Sequence, residues 1–247
     1  IKKNMKTNKN QKNIKIITEI HPQHFGSLSE AERMILASKL GGADFVKVQL
    51  YSSQKLFNNN EREFLELTKK EFIHLYEYSK NIGIELFASI FDEERLGWCE
   101  EMNIQNYKIA SRTVEDLSLC EKIINTKKNV LFSLGMYDFK KNGKPFKNEN
   151  VKYLYCVSKY PTNLEDIKMP NFENDEIFSG YSDHTIGTSA CIYAISKGAK
   201  ILEKHFSFNK SQNTTTQMAH VCSMNQNDLE EIRLHADNIT LLKSSEK

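Results

Sequence analysis

The chain of 247 residues is 39% hydrophobic and 27% charged, with a net charge of +2. This suits one soluble globular domain large enough to bury a sizeable core. It gives no reason to invoke a nucleic-acid or membrane partner, because the excess lysine lies mainly in the first dozen residues and in Phe139–Lys147. No apolar run approaches the ~20 residues of a membrane span, and the polar N-terminus does not read as a signal peptide. The cysteines (Cys99, Cys120, Cys156, Cys191, Cys222) are odd in number and form no CxxC pair, which points to reduced thiols and a cytoplasmic location. Cys156 and Cys191, set among apolar residues, read as small core hydrophobes.

Residues 1–13, rich in lysine and asparagine and without periodicity, read as a disordered tail, and residues 14–247 as one domain. Ile14–Ile20 is a β-branched run suited to a strand buried on both faces. The loop HPQHFGSLS follows, with Ser29 and Glu32 at capping-box spacing before a helix to Leu40; Gly41 and Gly42 end it. The cadence then repeats. Strands are expected at Ala43–Leu50, Ile84–Ile90, Tyr107–Ala110, Asn129–Gly135, Val151–Val157, Glu176–Asp183 and Ala199–Phe206. Helices are expected at Thr68–Asn81, Asp92–Met102, Val114–Asn125, Thr188–Lys197 and Asn227–Leu242. Eight strands alternating with helices imply an α/β fold, most simply a closed (β/α)8 TIM barrel. The connections after strands five and six are too polar, or too proline-broken, for full helices, so degenerate helices are expected there.

A barrel assembles its chemistry at the C-terminal ends of its strands, and those ends are consistently polar here. Strand one brings Glu19, with His21 and His24 just beyond, and strand two Lys47 and Gln49. Strands three to five bring Ser89, Lys108, Ser111 and Ser133. The last three bring Ser158 and Tyr160, Ser182 and His184, and Glu203 and His205. A lysine inside an apolar strand is costly to bury without an anion, so two of them with several serines suit a small phosphorylated or carboxylated ligand. The histidines and Glu19 add metal-ligand or acid–base capacity. Each residue alone has a plainer reading: hydrogen-bonded structural histidines, serines capping helices, and lysines paired internally with Glu19 or Glu203.

In order along the chain stand TEI…HFGS, GADFVKVQ, FD, YKIAS, SLGM, CVSKYPTNLED, GYSDHTIG and EKHF. With these motifs the chain resembles the catalytic barrel of the N-acetylneuraminate (sialic acid) synthase family, which condenses phosphoenolpyruvate with an amino sugar. The resemblance implies a divalent metal, manganese in the family, held by His184 and His205. It implies phosphoenolpyruvate held by Lys47, Lys108, Ser111, Ser133, Ser158 and Ser182, a catalytic carboxylate at Glu19, and sugar contacts at Gln49 and Tyr160; Ser89 is a further expected substrate-binding residue. It also implies, as partner, a second copy of the chain or a separate chain carrying the family's antifreeze-like domain.

The chain departs from the family pattern at several points. His21 and Gln23 replace a glycine and an asparagine, Leu134 replaces a threonine, and Ala219 stands where a sugar-contacting aspartate is expected. The family's antifreeze-like domain, which lends an arginine to the partner's site, is not in the sequence. A fragment, a split-gene product needing a second chain, and a degenerate paralogue are the corresponding expectations. The functional expectation is a synthase making a sialic-acid-like nonulosonate from phosphoenolpyruvate and an N-acetylmannosamine-like sugar. The alternatives are a related synthase or aldolase on another aldose, or a barrel that binds ligand without turnover.

Overall fold

Each of the eight β-rich runs forms a strand in the computed structural model, which describes residues 14–216 and 218–245. The expected tail, residues 1–13, lies outside them. The strands are β1 (Lys15–Glu19), β2 (Phe45–Leu50), β3 (Glu85–Ile90), β4 (Asn106–Ile109), β5 (Asn129–Ser133), β6 (Val151–Cys156), β7 (Phe178–Asp183) and β8 (Ile201–His205). They pair in parallel in chain order, and β1 pairs with both β2 and β8, so the sheet closes. The barrel expected from the alternation of strands and helices is therefore the fold.

The helices are α1 (Leu28–Leu40), α2 (Ser53–Phe57), α3 (Lys69–Ile82), α4 (Glu93–Glu101), α5 (Leu117–Asn125), α6 (Phe139–Asn142), α7 (Ser189–Ser196) and α8 (Gln226–Ser245). Local chemistry sets their ends. Thr68 and Glu71 form a reciprocal capping box on α3, which stops at Gly83 with φ +77°. Ser27 rather than Ser29 caps α1, accepting from the Glu30 amide. The expected helix at Val114–Asn125 begins at Leu117, because Asp116 accepts from the Leu119 amide and starts it there. The short α2 was not foreseen.

The connections after β5 and β6 are thin, as their composition implied: α6 has four residues, and the other crossover holds one 3-10 turn, Leu164–Asp166. Tyrosine hydroxyls fasten these segments to the sheet in place of helix packing. Tyr153 Oη donates to the Phe146 carbonyl at 2.7 Å and accepts from its amide at 3.0 Å. Tyr155 Oη accepts from the Lys168 amide at 2.9 Å. Phe139 packs edge-on against Phe178, with ring centroids 4.8 Å apart.

Strand alternation sorts the barrel interior into layers. Ile17, Phe45, Phe87, Leu131 and Ile201 form an apolar layer facing a cavity of about 220 Å³ at one end. Two residues further along the same strands stand Glu19, Lys47, Ser89, Ser133 and Glu203, which face a larger cavity at the other end. Gly180 lies on β7 beside β8, where an added Cβ would overlap the Ile201 carbonyl. Between β1 and α1 the chain turns through a cis His21–Pro22 bond and positive φ at Phe25 and Gly26. His24 is fully buried there, and its Nδ1 accepts from the Gly26 amide at 3.0 Å.

Two outcomes follow for stability. Gly180→Ala forces strand β7 off β8 and costs about 1–3 kcal/mol, read as a melting temperature lowered by several degrees; an unchanged value contradicts the close approach. Burial pushes the His24 imidazole down from 6.5 to about 4. The unfolded chain therefore binds more protons between those values, and stability falls as pH drops from 6.5 toward 4, by on the order of 3 kcal/mol from this group. Urea midpoints measured across that window decline in the wild type and decline less in His24→Gln. Equal slopes contradict the assignment.

Candidate active site

The cavity at the C-terminal ends of the strands has a volume of about 420 Å³. All of the candidate residues line it: Glu19, Lys47, Gln49, Ser89, Lys108, Ser111, Ser133, Ser158, Tyr160, Ser182, His184 and His205. They come from different strands, so only closure of the barrel brings them together.

The floor is a buried charge network. Lys47 Nζ pairs with Glu19 Oε2, lies 3.9 Å from Glu203 Oε1, and donates to Ser89 Oγ at 2.8 Å. Lys108 Nζ lies 3.5 Å from the same Glu203 oxygen, to which Ser182 Oγ donates at 3.3 Å. The internal ion-pair reading of the two lysines is thus the observed one. The environments of the carboxylates differ. Burial raises Glu19, and Lys47 offsets this only in part, leaving it above the usual carboxylate value. Burial also acts on Glu203, but Lys108 and Lys47 outweigh it and hold it below that value. Glu19 is therefore the carboxylate that takes a proton first. Lys108 is lowered by its burial, whereas at Lys47 burial is outweighed by Glu19 and Glu203 and the ammonium is retained.

The remaining side chains divide by what already holds them. Gln49 Nε2 is 3.3 Å from Glu19 Oε2 and from the His21 carbonyl, so its amide braces Glu19. The His21 amide donates to Glu19 Oε1 at 2.8 Å. Ser111 Oγ accepts from the Gly135 amide at 3.1 Å. Among the described residues Ser133 Oγ and Glu203 Oε2 are buried without a hydrogen-bond partner, which leaves a donor and an acceptor for a group entering the cavity. Tyr160 lies with its ring against His184, centroids 4.1 Å apart.

The two histidines face one another with ring centroids 5.8 Å apart. His184 Nδ1 donates to the Val157 carbonyl at 2.9 Å, and His205 Nδ1 donates to Gln23 Oε1 at 3.0 Å. Each bond places the ring proton on Nδ1 and leaves the Nε2 lone pair open. Burial, with His184 and Lys47 nearby, keeps His205 well below the ordinary histidine value. At His184 burial is outweighed by Cys156 and the Val157 carbonyl, which raise it above the ordinary histidine value, so a metal at Nε2 would have to displace a proton there. Two imidazoles with open Nε2 positions fit a divalent ion. Among the described residues no group of three or more His, Cys, Asp or Glu converges on a metal-sized point, so substrate or water oxygens would complete the coordination.

Behind the histidines, on the outer face of β7 and β8, Lys204 Nζ donates to Asp183 Oδ2 at 2.5 Å and to the Thr185 carbonyl at 2.7 Å. Tyr181 Oη and the Thr185 amide donate to Asp183 Oδ1 at 2.9 and 2.8 Å. This buried pair sits one residue from each histidine and locks the two strand ends together.

Some site residues escaped the sequence reading. Cys156, expected as a core hydrophobe, lines the cavity with its sulfur 3.7 Å from His184 Nδ1; its position at the inward-facing end of β6 was the available signal. Cys191 is buried under β7 and meets Asp183 at 3.3 Å. Glu203, read as a strand-end residue and an ion-pair partner, carries no assigned site role in the sequence reading. Tyr51, Phe57, Arg62 and Arg112 form a wall that had no signal in the sequence.

Comparison with known proteins gives the family. Residues 34–247 match the model of the NeuB family. Over 229 residues the chain is 34% identical to a pseudaminic acid synthase of Helicobacter pylori, covering 81% of this chain and 67% of that protein. It is 28% identical to an N,N'-diacetyllegionaminic acid synthase of Legionella pneumophila, covering 94% and 74%. A crystal structure of the N-acetylneuraminic acid (sialic acid) synthetase of Leptospira borgpetersenii in complex with citrate superposes with a TM-score of 0.81 at 28% identity, covering 93% and 84%. The first curated relatives are spanned over only 63% to 67% of their own length. With this family match and this identity, over a barrel whose strand ends converge on one cavity, the chain belongs to the NeuB family.

Proposed function

We propose that this barrel condenses phosphoenolpyruvate with an N-acetylated amino sugar, giving a sialic-acid-like nonulosonate and phosphate, with a divalent metal, manganese by resemblance, at His184 and His205. The observation that carries the reading is the shared cavity: a charge-balanced lysine floor, unpartnered serine and carboxylate oxygens, and two open imidazole nitrogens within one volume of about 420 Å³. The kinship with pseudaminic, legionaminic and neuraminic acid synthases supports it.

In this reading Lys47, Lys108 and the serines at the strand ends hold the phosphate and carboxylate of phosphoenolpyruvate, as charge-assisted donors do for anions. Held in place, its C3 attacks the aldehyde carbon of the open-chain sugar, forming the new C–C bond as the carbonyl oxygen takes a proton. The metal, when bound, supplies Lewis acidity toward that oxygen. Water then adds to the cationic C2, and as the bond from C2 to the phosphate oxygen breaks the new C2 hydroxyl becomes the ketone, its proton passing to the departing phosphate. Glu19, the floor carboxylate most ready to accept a proton, takes one from the attacking water. Gln49 and the His21 amide hold its oxygens in place. Lys47 and Lys108 stabilise the negative charge that the leaving phosphate carries.

Calorimetry of the purified chain with manganese and phosphoenolpyruvate, followed by phosphate release with N-acetylmannosamine and a panel of other amino sugars, tests the reading. Binding of both ligands and release with at least one sugar is expected; failure of both to bind contradicts it. Glu19→Gln is expected to lower kcat by about a hundredfold or more while phosphoenolpyruvate still binds, and undiminished turnover removes Glu19 from the chemistry. Lys108→Met weakens phosphoenolpyruvate binding by about tenfold or more, and unchanged affinity contradicts its place in the anion site.

A further inference from the structure

The wall of the cavity beyond β2 carries positive charge that the floor does not need. Arg62 and Arg112 both line the cavity. The guanidinium of Arg62 lies 4.2 Å, and that of Arg112 5.0 Å, from the centroid of the same Phe57 ring. Neither makes an ion pair among the described residues, although the surrounding surface is rich in such pairs. The carboxylates that line the cavity, Glu19 and Glu203, are engaged by Lys47 and Lys108. The other described residues that line the cavity, Thr216, Met218 and Ala219 among them, bring no carboxylate. Two like charges steered by one aromatic ring toward one space are an arrangement that an anion stabilises.

A third donor faces the same space. The Gly26 amide donates to His24 Nδ1 at 3.0 Å, so the His24 proton is on Nε2. That proton goes to His21 Nδ1 at 2.8 Å, which places the His21 proton on Nε2, directed at Tyr51 Oη at 3.2 Å. Burial holds both imidazoles below the ordinary histidine value, consistent with single protons on each ring. The Tyr51 oxygen thus accepts within the wall, and its own O–H is left to donate into the cavity. Tyr51 also packs edge-on against Phe57, with centroids 5.6 Å apart.

We infer that Arg62, Arg112 and Tyr51 form an oxyanion subsite, and that the acceptor sugar carries a phosphate or carboxylate at the end remote from its aldehyde. This rests on the reading of the cavity as a phosphoenolpyruvate–amino sugar site and names the class of the second substrate. The arginines supply paired planar donors suited to a multi-oxygen anion, and the hydrogen-bond chain from Gly26 makes Tyr51 a donor rather than an acceptor.

The test is calorimetric, so it does not depend on turnover. The full chain with manganese, phosphoenolpyruvate withheld so that no turnover occurs, is titrated with N-acetylmannosamine, its 6-phosphate and its uronic acid; phosphoenolpyruvate affinity is measured in a separate titration, and both are repeated with Arg62→Gln, Arg112→Gln and Tyr51→Phe. At least one charged sugar is expected to bind about tenfold or more tighter than the neutral one. The preference shrinks in each arginine variant and, less, in Tyr51→Phe, while phosphoenolpyruvate affinity changes by no more than about twofold. Which charged sugar binds better identifies the oxyanion as phosphate or carboxylate, either of which supports the subsite. In the wild type, raising the salt concentration also erodes the preference, a readout independent of how the variants fold. Equal affinity for neutral and charged sugars overturns the inference, as does a preference untouched in both arginine variants. A loss of phosphoenolpyruvate affinity in step with the sugar also overturns it, since the arginines would then serve the first substrate. Binding of a charged sugar without phosphate release from any acceptor contradicts the proposed reaction and leaves the subsite standing.

Discussion

Four charged groups buried in the barrel interior govern the rest of the site. Lys47, Lys108, Glu19 and Glu203 are almost wholly removed from solvent, and neither sign could be kept there without the other. Mutual neutralisation lets polar side chains replace hydrocarbon in the upper layer of the barrel. It also leaves the floor poised: an arriving anion competes with the glutamates for the lysines, and the displaced negative charge favours protonation at Glu19 rather than at Glu203. In the proposed reading, the structural ion-pair network and the anion-binding floor are the same set of atoms.

The metal-ligating capacity depends on a second buried pair. His184 and His205 end neighbouring strands, and their separation is governed by how β7 and β8 are held. The Asp183–Lys204 pair performs that task from the outer face, with Tyr181 and the Thr185 amide on Asp183 Oδ1 and Cys191 sharing Oδ2 with Lys204. Carbonyl acceptors on the Nδ1 side then fix which nitrogen of each ring faces the cavity. The outer layer thus positions the two histidines without lining the cavity itself.

Much of this was legible in the chain. Period-two alternation in FVKVQL separates outward Val46, Val48 and Leu50 from inward Lys47 and Gln49, and the repeat of such strand-length runs made the barrel readable. The site residues on strands were found for the same reason, since a strand end is a position that local sequence specifies. What stayed hidden depends on contacts between distant segments. Phe57, Arg62 and Arg112 meet across two strands, and nothing near any of them in sequence marks the meeting. Cys156 resembles a core residue because its neighbours are apolar, and only the inward turn of the end of β6 exposes its sulfur to the site. The tyrosine hydroxyls that pin the thin side of the barrel were invisible for a related reason: their partners are backbone groups of irregular loops.

The central claim is that the lysine floor and the histidine pair serve one reaction volume. Anomalous diffraction at the manganese edge, from crystals soaked with manganese and phosphoenolpyruvate, tests it most directly. The account predicts one manganese peak bonded to Nε2 of His184 and of His205, with phosphoenolpyruvate density against Lys47 and Lys108. Manganese bound elsewhere, or phosphoenolpyruvate lying outside the floor, would contradict it.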